Sequence, residues 1–192
     1  MVAKRIFDIV LSFALLVVLL LPMCVIWLIT SIILQSNGLF LQTRIGQYGK
    51  RFTMYKFKTL YPDRRKKSKW GAFMRKTKLD EFPQLWNILI GEMSFVGPRP
   101  DLPGYYDQLE GEERELLKLK PGITSLAALK YINEEEILAG KKNPKEYNDI
   151  VIYPDKVKMN LQYYNNRSFL VDLRIIIKTI ATVITGKRSK NE

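Results

Sequence analysis

A run of 26 residues without a single charge, from position 9 to position 34, constrains this chain more than any other feature. A helix needs about 20 apolar residues to cross the hydrocarbon core of a bilayer, and this run exceeds that length. A secretory signal peptide is a poor explanation, because the run is too long for a signal core and no small-residue cleavage site follows it. The sequence therefore predicts a membrane segment.

Two topologies for this segment agree with the residues about equally well. A single spanning helix is the commoner arrangement, but Pro22 lies at the midpoint of the run, where it kinks a helix by removing a backbone hydrogen bond. Basic residues also flank the run on both sides: Lys4, Arg5, Arg44, Lys50 and Arg51. The positive-inside rule would place both ends in the cytoplasm. A re-entrant helix, broken at Pro22 and returning to the same membrane face, satisfies both observations.

The rest of the chain predicts an α-rich α+β fold. We expect a membrane segment over residues 1–38 and a compact, membrane-associated domain over residues 39–192. Short strands are indicated at residues 40–42 and 52–55, on either side of a turn at residues 46–49. These two strands would form a β-hairpin.

Helices are indicated at five places: residues 70–76, 82–90, 112–119, 134–139 and 169–184. The last of these carries an apolar stripe, which is typical either of a helix that faces a core or of an amphipathic helix on a membrane interface. The basic ends of the segment, at Arg167 and at Lys187-Arg188, favour the interface.

The complete absence of histidine and the single cysteine, Cys24, exclude several kinds of site. A structural or catalytic zinc site would need His or further Cys ligands, and a disulfide within the chain would need a second cysteine. No Walker A sequence is present. Any chemistry must therefore be carried by carboxylates and by Lys and Arg.

Residues 41–79 contain thirteen Lys/Arg and one acid, Asp63, so this segment alone carries the net charge of +12 that the whole chain has. Such a block attracts phosphate on nucleotides, nucleic acid or anionic lipid. Its densest part, residues 64–67, is expected to be a solvated loop that touches lipid headgroups. No helix-turn-helix, RNP or KH pattern accompanies it, so we expect no nucleic-acid partner. A membrane-anchored basic protein that binds anionic lipid or nucleic acid without catalysis is the alternative to an enzyme.

An acidic pair, Asp80 and Glu81, precedes Pro83 at the expected start of a helix. Adjacent helical residues do not share a face, so this pair suits divided roles, one carboxylate attacking and the other holding a metal ion. A carboxylate near the positive end of a helix can act as a nucleophile toward phosphorus. The ordinary alternative is two exposed acids that complement the helix dipole.

Three cations are candidates for phosphate binding: Lys56, Arg75 and Arg99. Arginine offers a planar fork of donors that matches two phosphate oxygens. Pro98 and Pro100 restrict the backbone on both sides of Arg99, so that this side chain loses little entropy when it binds. We therefore give Arg99 the greatest weight of the three.

Seven short motifs, taken together and in order, resemble the small monotopic phosphoglycosyl transferases, also called bacterial sugar transferases. The resemblance covers nearly the whole chain. The motifs are residues 4–8 (KRIFD), 42–46 (QTRIG), 55–59 (YKFKT), 79–85 (LDEFPQL), 91–94 (GEMS), 97–100 (GPRP) and 120–124 (KPGIT).

The resemblance implies a re-entrant helix broken at Pro22, on the cytoplasmic face of the bacterial inner membrane, and a cytoplasmic catalytic domain over residues 39–192. It also implies transfer of a sugar 1-phosphate from a UDP-sugar to polyprenol (undecaprenyl) phosphate, with release of UMP. The reaction would be ping-pong and would pass through a phospho-aspartyl sugar. Asp80 matches the family's nucleophile, and Glu81 matches its Mg²⁺-binding position beside it. Lys56, Arg75 and Arg99 match basic residues around the phosphates.

The chain departs from the usual family pattern in three places. Leu21 replaces a Ser before the helix-breaking proline, and Glu92 replaces an Asp in the Gly-Asp-Met-Ser motif. Residues 125–131 (SLAALKY) also differ from the family, in a region expected to shape the sugar pocket. The identity of the sugar is therefore the property that the resemblance predicts least.

Overall fold

A computed structural model describes residues 2–63 and 68–185, and the chain divides into two compact units. The first unit comprises residues 1–44 and 51–94, and the second comprises residues 45–50 and 95–192. Two predicted features, the basic run at residues 64–67 and the basic end at Lys187-Arg188, lie outside the described residues.

The first unit begins with helix α1 (Val2–Leu34), which continues through Pro22. At 1.5 Å per residue it is about 50 Å long. Among the described residues, only α1 is long and apolar enough to cross a membrane. Four of its side chains are buried, and they are Asp8, Ser12, Thr30 and Leu34. Most of its surface is exposed and apolar, so the predicted long apolar helix is confirmed, whereas its re-entrant topology stays a prediction.

The remaining elements of the first unit are short. They are strands β1 (Leu39–Ile45) and β2 (Arg51–Phe57), helix α2 (Lys69–Thr77), a 3-10 turn (Leu79–Glu81) and helix α3 (Gln84–Ile90). The two strands pair with each other, which confirms the predicted hairpin. The helices predicted at residues 70–76 and 82–90 are also confirmed, although the second begins as a 3-10 turn and becomes α-helical only after Pro83.

Both ends of α1 are attached to this unit by polar contacts. Near the start, the Arg5 guanidinium donates to the carbonyls of Ile88 and Leu89, at 2.7 and 2.8 Å. These carbonyls belong to the last turn of α3, where a helix leaves acceptors without intrahelical partners. Near the end of α1, Trp70 Nε1 at the start of α2 donates to Thr30 Oγ1 at 2.9 Å. The unit therefore holds the apolar helix at two points far apart along its length.

The second unit is mostly helical. It contains strands β3 (Ser94–Val96) and β4 (Gly122–Thr124), which form a second two-stranded sheet, and helices α4 (Leu126–Lys130), α5 (Glu134–Ala139), α6 (Pro144–Tyr147), α7 (Tyr153–Asn166) and α8 (Phe169–Thr185). The helices predicted at residues 134–139 and 169–184 are confirmed. The helix predicted at residues 112–119 is present at residues 111–118, as a 3-10 helix. Gly111, with φ at 55°, is the first residue of this segment and lies outside the backbone region of a right-handed helix.

Two groups of buried side chains form the core of the second unit. The larger group comprises Ile45, Tyr106, Leu109, Leu116, Leu117 and Val157. The smaller comprises Val96, Tyr163 and Ile175. Helix α7 contributes to both groups, yet its sequence did not predict a helix, because polar residues and tyrosines fill most of its positions.

Helix α8 has two different apolar sides. On one side, Ile175 belongs to the smaller core group, and Thr179 Oγ1 lies 2.6 Å from Thr124 Oγ1 of β4. Leu170, Ile177, Ile180 and Ile184 are exposed. One side of the helix therefore packs on its own unit, as expected of a helix that faces a core. The other side presents an exposed apolar stripe, as expected of an amphipathic helix on a membrane interface.

The segment predicted to shape the sugar pocket ends in a set of polar contacts. Lys130 Nζ and Tyr131 Oη both donate to Asp155 Oδ2 of α7, each at 2.7 Å. The hydrogen bond from Lys130, followed by that from Tyr131, holds the pKa of Asp155 below its usual value. These contacts fix the end of α4 against α7.

Candidate active site

The acidic pair lies in the 3-10 turn that joins α2 to α3. Lys78 ends α2 in a left-handed conformation, with φ at 59°, and the turn follows at once. Asp80 and Glu81 are only 8% and 7% exposed. The expectation of two exposed first-turn acids is therefore wrong, because this turn packs against β2 instead of facing solvent. Burying two adjacent carboxylates is costly, which makes the pair unusual among acids at helix starts.

Strand β2 brings Lys56 to the pair. Side chains alternate along a strand, so Lys56 follows Phe52 and Met54, both buried, on the inward face. Its Nζ lies 3.1 Å from Glu81 Oε1, and the two side chains are 14% and 9% exposed. A buried ion pair is weak evidence for stability, because its desolvation offsets the attraction. It does fix the direction in which Glu81 points, directly beside Asp80.

Arg75 lies in the last turn of α2, just before the acidic pair. Its Nε donates to Thr59 Oγ1 at 3.1 Å. Helix α2 approaches this part of the chain so closely that a Cβ on Gly71 would lie 1.8 Å from the Thr59 carbonyl oxygen. Only glycine allows that approach. Arg75 therefore belongs to the same unit as the acidic pair and is held by the segment that follows β2.

Asn87 is a site residue that the sequence analysis missed. It is completely buried, and its side-chain nitrogen donates to the Thr53 carbonyl and to Glu92 Oε2, each at 2.7 Å. Its side-chain oxygen accepts from the backbone N–H of Tyr55 at 3.2 Å. Asn87 thus ties β2 to α3 and so sets the position of Lys56 relative to Glu81. Glu92, a departure from the family pattern, is long enough to reach this amide. The available signal was an amide side chain within a largely apolar helix.

Arg99 lies in the second unit and is exposed between two buried prolines, Pro98 and Pro100. The backbone of this turn is held by β4, since the N–H of Gly122 donates to the Pro98 carbonyl at 2.8 Å. A Cβ on Gly97 would lie 2.2 Å from the Lys120 carbonyl oxygen. The motifs at 97–100 and 120–124 therefore meet backbone to backbone, which requires glycine. Arg99 is exposed at this turn, and the rigidity expected from its two prolines stays a prediction.

The acidic pair is suited to a magnesium ion of a particular kind. Mg²⁺ prefers oxygen ligands and is commonly bound by one or two carboxylates together with substrate phosphates and water. Within residues 2–63 and 68–185, no group of three or more His, Cys, Asp or Glu could hold a metal ion. The side chains of Asp80 and Glu81 therefore fit a cation shared with a phosphorylated substrate better than one enclosed by protein alone.

Comparisons with known proteins agree with the motifs. The family model described as "Bacterial sugar transferase" matches residues 1–186. The "Uncharacterized sugar transferase EpsL" of Bacillus subtilis (strain 168) is 33% identical, over 97% of this chain and 90% of its own length. The "Galactosyl transferase CpsE" of Streptococcus agalactiae serotype III (strain NEM316) is 31% identical, over 99% of this chain and 44% of its own.

A third relative carries a fuller name. The "UDP-glucose:undecaprenyl-phosphate glucose-1-phosphate transferase" of Klebsiella pneumoniae is 31% identical, over 94% of this chain and 40% of its own length. The chain therefore spans most of EpsL and less than half of the length of the other two relatives.

Proposed function

Because the chain belongs to the bacterial sugar transferase family and is a phosphoglycosyl transferase, we propose that it transfers a sugar 1-phosphate from a UDP-sugar to undecaprenyl phosphate and releases UMP. The observation that carries this proposal is the buried pair of Asp80 and Glu81, in a unit that also contains a long apolar helix. Lys56 Nζ lies 3.1 Å from Glu81 Oε1. The Klebsiella pneumoniae relative is named for this reaction with glucose. The product would be the lipid-linked sugar that begins glycoconjugate assembly.

Asp80 supplies the nucleophile in this proposal. One of its carboxylate oxygens attacks the phosphorus that bears the sugar, and the bond from this phosphorus to the bridging oxygen of UMP breaks. The electron pair leaves with UMP, and a phospho-aspartyl sugar remains. A phosphate oxygen of undecaprenyl phosphate then attacks the same phosphorus, and the bond to Asp80 breaks. The carboxylate is restored, so the sequence is ping-pong.

Further charged residues would position and neutralise the phosphates. The Lys56 ammonium directs the Glu81 carboxylate and adds positive charge beside the nucleophile. Arg75 and Arg99 would bind phosphate oxygens through their planar donors. Asp80 and Glu81 would hold Mg²⁺, which when bound offsets the negative charge of the diphosphate. All these groups would stabilise the negative charge that develops on the leaving UMP.

We also propose that α1 is re-entrant, with both ends on the cytoplasmic face of the inner membrane. The contacts of Arg5 with α3 and of Thr30 with Trp70 support this topology, because a single folded unit holds both ends of the apolar helix. The exposed apolar stripe on α8 is of the kind that binds a membrane interface.

Labelling of single cysteines tests the topology. The background variant is Cys24→Ser, and the probes are Val2→Cys and Thr43→Cys, both at exposed positions that flank the apolar run. Gly38 is unsuitable for a probe, because a Cβ there would lie 2.6 Å from the Trp27 carbonyl oxygen. We expect a membrane-impermeant maleimide to label both probes only in inverted vesicles. If one probe is labelled in intact spheroplasts and the other in inverted vesicles, the helix spans the bilayer.

The reaction itself is tested with the full chain in membranes that contain undecaprenyl phosphate. We expect UMP and a lipid diphospho-sugar from at least one member of a panel of UDP-sugars, and loss of both when Mg²⁺ is removed by a chelator. Glu81→Gln should release far less UMP than the wild type. Tight binding to anionic vesicles or to nucleic acid, without UMP release across the panel, would support the non-catalytic alternative. A purely anion-binding surface gains nothing from two buried carboxylates.

A further inference from the structure

A buried amide beside the acidic pair has no part in the chemistry described so far. Gln84 is the first residue of α3 and is 2% exposed. Its Nε2 atom has no hydrogen-bond acceptor among the residues that the structure describes. Leaving a buried donor without an acceptor costs about as much as losing a hydrogen bond. A group of this kind needs an explanation, and a ligand that supplies the acceptor is one.

The backbone places this amide on the same side as the acidic pair. Phe82 and Pro83, which join the turn to the helix, both have right-handed helical dihedrals, and i→i+3 hydrogen bonds run from Phe82 N to Leu79 O, from Leu85 N to Phe82 O and from Trp86 N to Pro83 O. In a 3-10 helix, side chains three residues apart eclipse each other, and in an α-helix those four apart are neighbours. Gln84 is three residues after Glu81 and four after Asp80. Its amide therefore lies within one turn of both carboxylates.

The next amide along the helix, that of Asn87, has a structural role. Asn87 follows Gln84 by one turn and is also buried, but its side chain has three hydrogen bonds to the protein, with Thr53, Tyr55 and Glu92. The two amides thus differ in their hydrogen bonding to the protein. The amide of Asn87 is occupied in joining β2 to α3, whereas the Gln84 donor remains available beside the proposed nucleophile.

We infer that Gln84 is a substrate-binding residue whose Nε2–H donates to a phosphate oxygen. The inference rests on the proposed function, because the substrate is placed by attack of Asp80 on phosphorus. Reacting atoms approach to about 3–3.5 Å, so the oxygens on that phosphorus come within reach of a side chain one turn away. The phosphate belongs either to the UDP-sugar or to undecaprenyl phosphate. A neutral amide can bind it without a further charge among the carboxylates.

Gln84→Met is the informative variant, since methionine matches the length of glutamine but has no N–H. We expect its melting temperature to equal or exceed that of the wild type, because an unmatched polar group leaves the interior. We expect kcat/KM, measured as UMP release, to fall about tenfold to a hundredfold. Tyr153→Phe is the matched control. It also removes a buried donor that has no partner among the described residues, but in the second unit, and it should leave kcat/KM unchanged.

The kinetics also identify which phosphate is bound. In a ping-pong reaction, kcat/KM for each substrate reports its own half-reaction. A loss confined to the UDP-sugar assigns Gln84 to the donor, and a loss confined to undecaprenyl phosphate assigns it to the acceptor. Wild-type kcat/KM for both substrates in Gln84→Met would overturn the inference.

A second apolar variant, Gln84→Leu, separates binding from packing. If Gln84→Met and Gln84→Leu both melt at lower temperature while the folded protein keeps wild-type kcat/KM, the amide has only a packing role and the inference fails. If the wild type itself releases no UMP from any UDP-sugar, the proposed function fails first and the inference falls with it. The two failures are therefore distinguishable.

Discussion

Asp80→Asn is expected to lower UMP release by about 10⁴-fold or more while the protein stays folded. An amide cannot attack phosphorus, so the covalent step is lost entirely. Asp80 is buried, and asparagine has nearly the same shape, so the packing of the 3-10 turn is retained. The measurement compares UMP release with melting temperature on one purified preparation.

A matched control separates the loss of the nucleophile from the loss of one negative charge. Asp63→Asn makes the same chemical change at an exposed position outside the acidic pair, and it should release UMP at the wild-type rate. Asp80→Asn that retains more than about one-tenth of the wild-type rate would contradict the assignment of Asp80 as the nucleophile.

Arg99→Lys is expected to lower kcat/KM about tenfold to a hundredfold without lowering the melting temperature. A lysine keeps the charge but lacks the planar fork that binds two phosphate oxygens. Both prolines remain, and the turn is held by the backbone bond from Gly122 to Pro98, so folding should be spared. The contrary result is a lower melting temperature with wild-type efficiency, which would mean that Arg99 braces its turn.

Arg114→Lys is the matched control for this prediction. Arg114 lies in the same unit, and its guanidinium donates to the Leu109 carbonyl at 3.0 Å. Arg114 thus makes a contact with the backbone, which is the kind of contact that Arg99 would make if it only braced its turn. We expect Arg114→Lys to affect melting temperature more than kcat/KM, which is the opposite of the pattern expected for Arg99→Lys.

The parts of the fold that the sequence predicted are those with strong local signals. The uncharged run predicted α1, the turn at residues 46–49 predicted the hairpin, and apolar periodicity predicted α8. The second sheet was not predicted, because its strands have three residues each and are far apart in the chain. Its pairing depends on the close approach of Gly97 and Gly122, which no local pattern reveals.

The sequence proposed residues for the candidate site, but it did not predict that the acidic pair is buried. The motifs identified Asp80, Glu81 and Lys56, and the structure brings Lys56 and Glu81 into contact. Burial of the pair depends on how β2 packs against the turn, which the position of an acid at a helix start does not determine. Tertiary packing also explains why, among the residues that the structure describes, Asn87 is hydrogen-bonded within the protein and the Gln84 donor is not. Both are single amides in an apolar helix, and only tertiary packing decides which one is bonded within the protein.

The central claim is that Asp80 carries the sugar phosphate between two half-reactions. In the most direct test, the full chain is incubated with a UDP-sugar labelled in its sugar, in membranes without undecaprenyl phosphate. UMP release and the label on the protein are then measured. We expect a burst of UMP and a mass increase of one sugar phosphate on the peptide that contains Asp80, and we expect neither in Asp80→Asn. Release of UMP only after undecaprenyl phosphate is added, with no label on the protein, would contradict the central claim.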